Sequence, residues 1–243
     1  MRSIKYIGTG MLIKKAFQLL KFDYTILLPY LISSFILLLL SNQLIKTPQN
    51  GAAVKFTPEL AYFYSIGWLI TLFAQAMTIF MTRDALQKKA LDLAVVFVQT
   101  IKKFFILCIL LLLSMFISVV IGVLLKQFLQ NYLIYAAIPL GMFVLLFFQL
   151  FPVIILMEKY NFIGYFKAAF TFMKNSAYNL IRFFLGISII SLISILLIGS
   201  LESAGAFSKE LISPFLQGFS GALITLISTI FYLEARSTIS ANA

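Results

Sequence analysis

Residues 104–125 read FFILCILLLLSMFISVVIGVLL, without one charged side chain, and Lys102-Lys103 and Lys126 close the run on either side. An α-helix rises about 1.5 Å per residue, so about 20 apolar residues cross the roughly 30 Å hydrocarbon layer of a bilayer. The run therefore reads as a membrane span. Five further segments have the same character, at 24–40, 60–81, 132–157, 183–200 and 214–233. The whole chain of 243 residues agrees, being 62% apolar and only 11% charged, with a mean hydropathy of +1.03. A soluble domain sits near 45–50% apolar and about 25% charged. The sequence thus predicts an all-α polytopic membrane protein of six transmembrane helices, forming one integral membrane domain over 1–243.

Local signals place some boundaries. Thr57-Pro58-Glu59 and Ser213-Pro214 each put a capping hydroxyl before a proline, which predicts Pro58 and Pro214 at first helical positions. Pro139 and Pro152 predict a break or kink in the fourth span, with a shorter span from Leu140 as the alternative. The first span reads as an uncleaved signal anchor, since its charged preface is long and no small-x-small site follows Leu40.

Orientation follows from Lys and Arg alone. Of the 19 such residues, Lys46, Lys55, Lys126 and Lys209 fall on one side. The other side takes Arg2, Lys5, Lys14, Lys15, Lys21, Arg83, Lys88, Lys89, Lys102, Lys103, Lys159, Lys167, Lys174, Arg182 and Arg236. Both termini are therefore expected in the cytoplasm, with short outer loops at 41–59, 126–131 and 201–213.

An internal repeat runs beneath this topology. Ala16-Phe17-Gln18-Leu19-Leu20-Lys21, Phe97-Val98-Gln99-Thr100-Ile101-Lys102 and Ala169-Phe170-Thr171-Phe172-Met173-Lys174 share a basic amphipathic pattern ahead of the first, third and fifth spans. Lys14 and Lys167 stand seven residues before Lys21 and Lys174, on the same helical face. Asp84, Glu158 and Glu234 close the even spans, and Gln75, Gln149 and Thr225 stand nine residues before them. The pattern predicts three units, about 9–84, 85–158 and 159–236, each an amphipathic helix followed by a helical hairpin. All three hairpins share one orientation, so a symmetry axis would lie along the membrane normal.

The residue inventory excludes much chemistry. There is no His, so His-based triads and His metal sites are ruled out, and the lone Cys108 lies in an apolar run. Neither a phosphate-binding Gly loop nor a paired-carboxylate motif occurs, and no cofactor or metal is expected. The formal charge of +11 is attributed to lysines and arginines flanking spans, where they meet anionic headgroups, rather than to nucleic acid binding. Lys14, Lys15, Lys21, Lys167 and Lys174 are the candidate headgroup residues, on helices that lie in the interface with Phe and Leu toward the acyl chains or, alternatively, form a docking surface for a protein partner or a second copy of the chain. Polar groups inside a bilayer are costly unless paired. Gln75, Gln149 and Thr225 are accordingly the candidate intramembrane polar residues, expected to hydrogen-bond across helices or, alternatively, to line a pathway. The three closing acids are expected to pair with nearby bases, including Arg83, Lys159 and Arg236. Stripes of small residues at Ser114/Ser118/Gly122, Ser188/Ser191/Ser194 and Gly221/Thr225/Thr229 predict close helix approach.

The run Phe151-Pro152-Val153-Ile154-Ile155-Leu156-Met157-Glu158-Lys159, the basic lead 166–174 and the closing Phe231-Tyr232-Leu233-Glu234-Ala235-Arg236 resemble the YciC-type bacterial inner-membrane proteins. They also resemble the membrane domain fused to some glycerophosphodiester phosphodiesterases. The resemblance implies a six-helix bundle in a bacterial cytoplasmic membrane and brings no reaction with it, because the YciC-type group is functionally uncharacterised. This chain departs from their Pro-Gly in the fourth span, reading Pro139-Leu140-Gly141. Two functions compete: a non-catalytic protein of envelope or lipid-bilayer maintenance, or a membrane scaffold, with lipids as partners; alternatively, a small transporter or permease component. A scaffold predicts a dry bundle with a lipid-facing cleft. A transporter predicts a polar central cavity lined by Gln75, Gln149 and Thr225.

Overall fold

A computed structural model describes residues 8–44, 58–128, 133–202 and 206–240, and among them every regular element is helical. In chain order these are α1 (Thr9–Phe22), a 3-10 turn (Tyr24–Leu27), α2 (Leu28–Leu44), α3 (Pro58–Leu86) and α4 (Leu93–Phe128). Then follow α5 (Leu133–Met157), α6 (Phe162–Asn175), α7 (Ala177–Glu202) and α8 (Ala206–Ser240). Five stretches are long and apolar enough to cross a membrane: Tyr24–Ser41, Leu60–Leu86, Leu93–Val120, Ala177–Ser200 and Ile212–Ser237. Helix α5 adds a shorter apolar stretch, Val144–Met157.

The amphipathic lead is a separate helix only where the sequence supplies a stop. In the first unit Asp23 ends α1, and its carboxylate accepts a 2.9 Å bond from the Thr25 N–H to start the 3-10 turn. In the third, Asn161 caps α6 by accepting from the Gly164 N–H at 2.8 Å, and Ser176 separates α6 from α7. The second unit departs from expectation. No cap, Gly or Pro stands between Val96 and Phe105, so the amphipathic stretch runs straight into the span as one 36-residue helix, about 54 Å long. Its start is set by Asp92, whose carboxylate accepts from the Ala94 N–H at 2.9 Å.

The prolines act less than expected. Helix α3 begins at Pro58 as the spacing predicts, but Pro214 lies inside α8, which already starts at Ala206. Most of the loop expected at 201–213 is therefore helix, whereas much of the loops expected at 41–59 and 126–131 lies outside the described residues. Helix α5 continues through Pro139 and Pro152, so neither breaks it. Each proline removes only one backbone donor, and the flanking turns of a long apolar helix retain theirs. Helix α3 stops at a left-handed Lys88, φ 54°, with the Lys88 N–H on the Ala85 carbonyl and the Lys89 N–H on the Asp84 carbonyl, both at 3.0 Å. That pair of bonds is the Schellman termination, usually built on glycine.

Helix α8 is the hub, packing against α1, α2, α3, α5 and α7. Gly218 makes the α2 contact possible. A Cβ there would stand 3.0 Å from both the Tyr30 carbonyl oxygen and the Leu31 Cα, and 2.7 Å from the Ser34 Oγ. One turn on, a Cβ at Gly221 would meet the Tyr30 ring at 2.8 Å. Such backbone-to-backbone approach lets dispersion hold helices together in lipid, where the hydrophobic effect gives no preference for helix over acyl chain. Phe183 of α7 stacks on Phe231 of α8 at 4.4 Å, and Phe172 of α6 meets Tyr232 at 4.9 Å.

Packing is uneven along the bundle. Fully buried side chains such as Ile79, Met81, Leu107, Ile154, Ile155 and Phe231 concentrate where the basic segments meet. Toward the other end large apolar side chains face outward: Phe116, Val119 and Val123 of α4 and Ile189, Leu192, Ile195 and Leu196 of α7 are exposed. Large aliphatic side chains exposed along a whole helix face suit contact with acyl chains.

Candidate functional site

The tight end of the bundle is organised by charged groups that the helix termini bring together. Lys103, on α4, points its ammonium at the last turn of α5 and donates to the carbonyls of Ile155 (3.1 Å), Leu156 (2.9 Å) and Glu158 (2.9 Å). An ammonium has three protons and no acceptor, so this geometry satisfies it fully. It also places a positive charge at the negative end of a helix dipole. The Glu158 side chain, only 6% exposed, accepts from the Tyr232 hydroxyl at 2.7 Å and pairs with Arg236 at 2.6 Å. One residue thus joins α4, α5 and α8, its carbonyl serving the first and its carboxylate the last.

The other closing acids are paired as well, one across the fold and one with the neighbouring base expected from the sequence. Glu234 pairs with Lys15 across α8 and α1. Asp84 pairs with the adjacent Arg83 at 2.7 Å, and Arg83 also donates to the Gln99 side-chain oxygen at 2.9 Å. Arg236 pairs with Glu158. Two of the three repeat acids, Glu158 and Glu234, therefore tie different units together, while Asp84 pairs within its own. Thr9 adds a bond from its hydroxyl to the Arg182 carbonyl at 3.2 Å, fastening α1 to α7.

The predicted headgroup lysines divide. Lys14, Lys21, Lys167 and Lys174 are exposed, while Lys15 is half-buried in its pair with Glu234. Lys167 lines a cavity of about 400 Å³ between α6 and the C-terminal part of α8, with Tyr160, Thr171, Asn175, Tyr232 and Arg236. Among the intramembrane candidates, Thr225 is buried and its hydroxyl bonds the Tyr30 hydroxyl at 2.7 Å, an α8–α2 link. Gln149 has a buried side-chain oxygen without a partner. No hydrogen bond joins Gln75, Gln149 and Thr225 to one another, so the structure does not assemble them into one polar site.

The larger cavity, about 820 Å³, lies between α2, α3 and the start of α4 and is bounded by Leu28, Ile36, Leu69, Met77, Phe97 and Phe104 among others. Its lining is almost wholly apolar, Ser33 being the exception, and Ser33 spends its hydroxyl on the Tyr30 carbonyl at 2.9 Å. Neither cavity is lined by Gln75, Gln149 or Thr225.

Lys103, Tyr232 and Tyr30 carry much of this arrangement, and sequence reading did not single them out. Lys103 was legible only as one more basic flank. Tyr232 lay within the closing aromatic–acid–Arg run, but its partner is 74 positions away. No known protein family, curated protein or solved structure matches this chain.

Proposed function

We propose that this multi-pass membrane protein is a non-catalytic lipid-holding scaffold of a bacterial cytoplasmic membrane, acting in envelope or bilayer maintenance. In this reading all six segments span, α5 included, and the basic end with both termini faces the cytoplasm. The charge bias supports that orientation. The compartment follows from the resemblance of residues 151–159 to YciC-type proteins.

The observation that carries the reading is the apolar cleft. An 820 Å³ space bounded by aliphatic and aromatic side chains at the level of a span offers nothing to a polar solute and suits an acyl chain. The rival permease component needs a wet path, and Gln75, Gln149 and Thr225 line neither cavity. The test fills the cleft. Ala94 lines it and is exposed, so Ala94→Trp adds bulk there without entering the core. Lipid bound per protein after mild solubilisation, counted by mass spectrometry, should fall in the variant. Equal lipid in wild type and variant would contradict the reading.

A further inference from the structure

We propose that the 400 Å³ cavity between α6 and α8 is a binding site for a phosphate ester group, carried by a phospholipid headgroup or by a soluble phosphate compound. Its size lies within the roughly 300–1,000 Å³ of small-molecule sites. Its chemistry is unlike that of the apolar cleft. Lys167, Thr171 and Asn175 recur at intervals of four along α6 and form a polar stripe on one wall. Arg236 forms the facing wall, with the Tyr232 ring beside it.

The charge balance favours an anion. Glu158 stands behind Arg236, and its carboxylate is engaged by Arg236 and the Tyr232 hydroxyl. Lys167 and Arg236 both line the cavity, and Lys167 has no ion pair among the described residues. The Glu158 pair fixes the guanidinium in place before any ligand arrives, and preorganised Arg is the usual partner of phosphate oxygens. Asn161 already satisfies the Gly164 N–H at 2.8 Å, so the site rests on side chains and not on the start of α6. Ile163 and Phe170, one turn to either side of Lys167 on α6, are exposed beside the stripe, where acyl chains would lie if the phosphate belongs to a lipid. The equivalent positions on α1, Gln18 and Phe22 in place of Thr171 and Asn175, do not repeat the stripe, so the first unit lacks the site.

This inference deepens the lipid-holding reading but can fail independently of it. The full chain in detergent micelles is titrated with phosphatidylglycerol and with phosphate-free diacylglycerol by native mass spectrometry, and with inorganic phosphate and glycerol 3-phosphate by calorimetry. Lys167→Gln should weaken phosphatidylglycerol about tenfold, the usual scale for one charge-assisted contact. It should leave diacylglycerol unchanged, and Lys89→Gln, an equal charge loss at an exposed position after α3, should change neither lipid more than about twofold. Binding of glycerol 3-phosphate or inorganic phosphate that Lys167→Gln abolishes would identify a soluble source, whereas loss in the lipid arm alone would identify the headgroup. Equal effects of Lys167→Gln and Lys89→Gln would overturn the site, as would no effect of Lys167→Gln on any phosphate species. Loss of diacylglycerol binding in the wild type would count against the cleft and not against this site.

Discussion

Replacing Lys103 with Met should destabilise the bundle more than any other single charge removal at its basic end. Met keeps the apolar stem and removes the ammonium, leaving the carbonyls of Ile155, Leu156 and Glu158 without the donor they now share. Hydrogen bonds to charged groups contribute about 1.5–3 kcal/mol each. Three bonds to one nitrogen are not additive, and Lys103 is only half-buried, so water replaces part of the loss. A total near 3 kcal/mol is the reasonable magnitude, or about 6–12 °C in Tm for a chain of this size. Lys103→Arg should recover only part of it, because a planar fork cannot aim its donors at three converging carbonyls. Lys102, adjacent but exposed, supplies the control, and Lys102→Met should shift Tm by no more than about 2 °C. The assay is built into the sequence: Cys108 is the single thiol and sits half-buried on α4, so a thiol-reactive fluorophore reports unfolding of the same helix. A Tm for Lys103→Met within 2 °C of Lys102→Met would refute the reasoning.

Other outcomes follow from individual positions. Gly218→Val should separate α2 from α8 and cost about 1–3 kcal/mol by overpacking, read as a lower Tm, whereas Gly199→Ala, which meets open space, should leave Tm unchanged or raise it. Lys88→Gly should raise Tm slightly, since a left-handed residue costs about 1–2 kcal/mol with a Cβ, and a drop would argue against the Schellman turn. Gln149→Leu should be neutral or stabilising because its buried oxygen has no partner to lose, and a clear fall in Tm would show that it has one. With single cysteines in a Cys108→Ser background, an impermeant reagent should label positions 50 and 203 from outside and spare 3 and 241; labelling at 241 would reverse the topology.

Five of the six expected spans were legible because hydrophobic length is a local property and the bilayer fixes it, while the fourth is matched only by the shorter apolar stretch Val144–Met157. The amphipathic leads were legible for the same reason, and Asp23 and Ser176 mark where two of them stop. Their fusion with the span in α4 was missed because it depends on the absence of a stop at 96–105, and the repeat pattern argued for one. Pro214 was misread for a related reason: a Ser-Pro pair signals a helix start in water, but a long apolar helix accommodates the missing donor. The site was only half visible. Lys167 was picked by its place on the α6 face, yet nothing local announces that Arg236 lies opposite it. Nor does it show that Lys103 reaches a helix end some 52 positions away. Those partnerships are tertiary, created where α8 passes the ends of α5 and α6.

The most direct test of the account asks whether the interior opens to lipid or to water. Nitroxide labels at positions 97 and 149, each introduced into a Cys108→Ser background in bilayers, can be relaxed by oxygen, which enters lipid, and by a water-soluble nickel chelate, which does not. A lipid-filled cleft predicts strong relaxation by oxygen and weak relaxation by nickel at 97, with little of either at 149. Strong nickel relaxation at 149 would reveal a hydrated path through the bundle and contradict the scaffold reading.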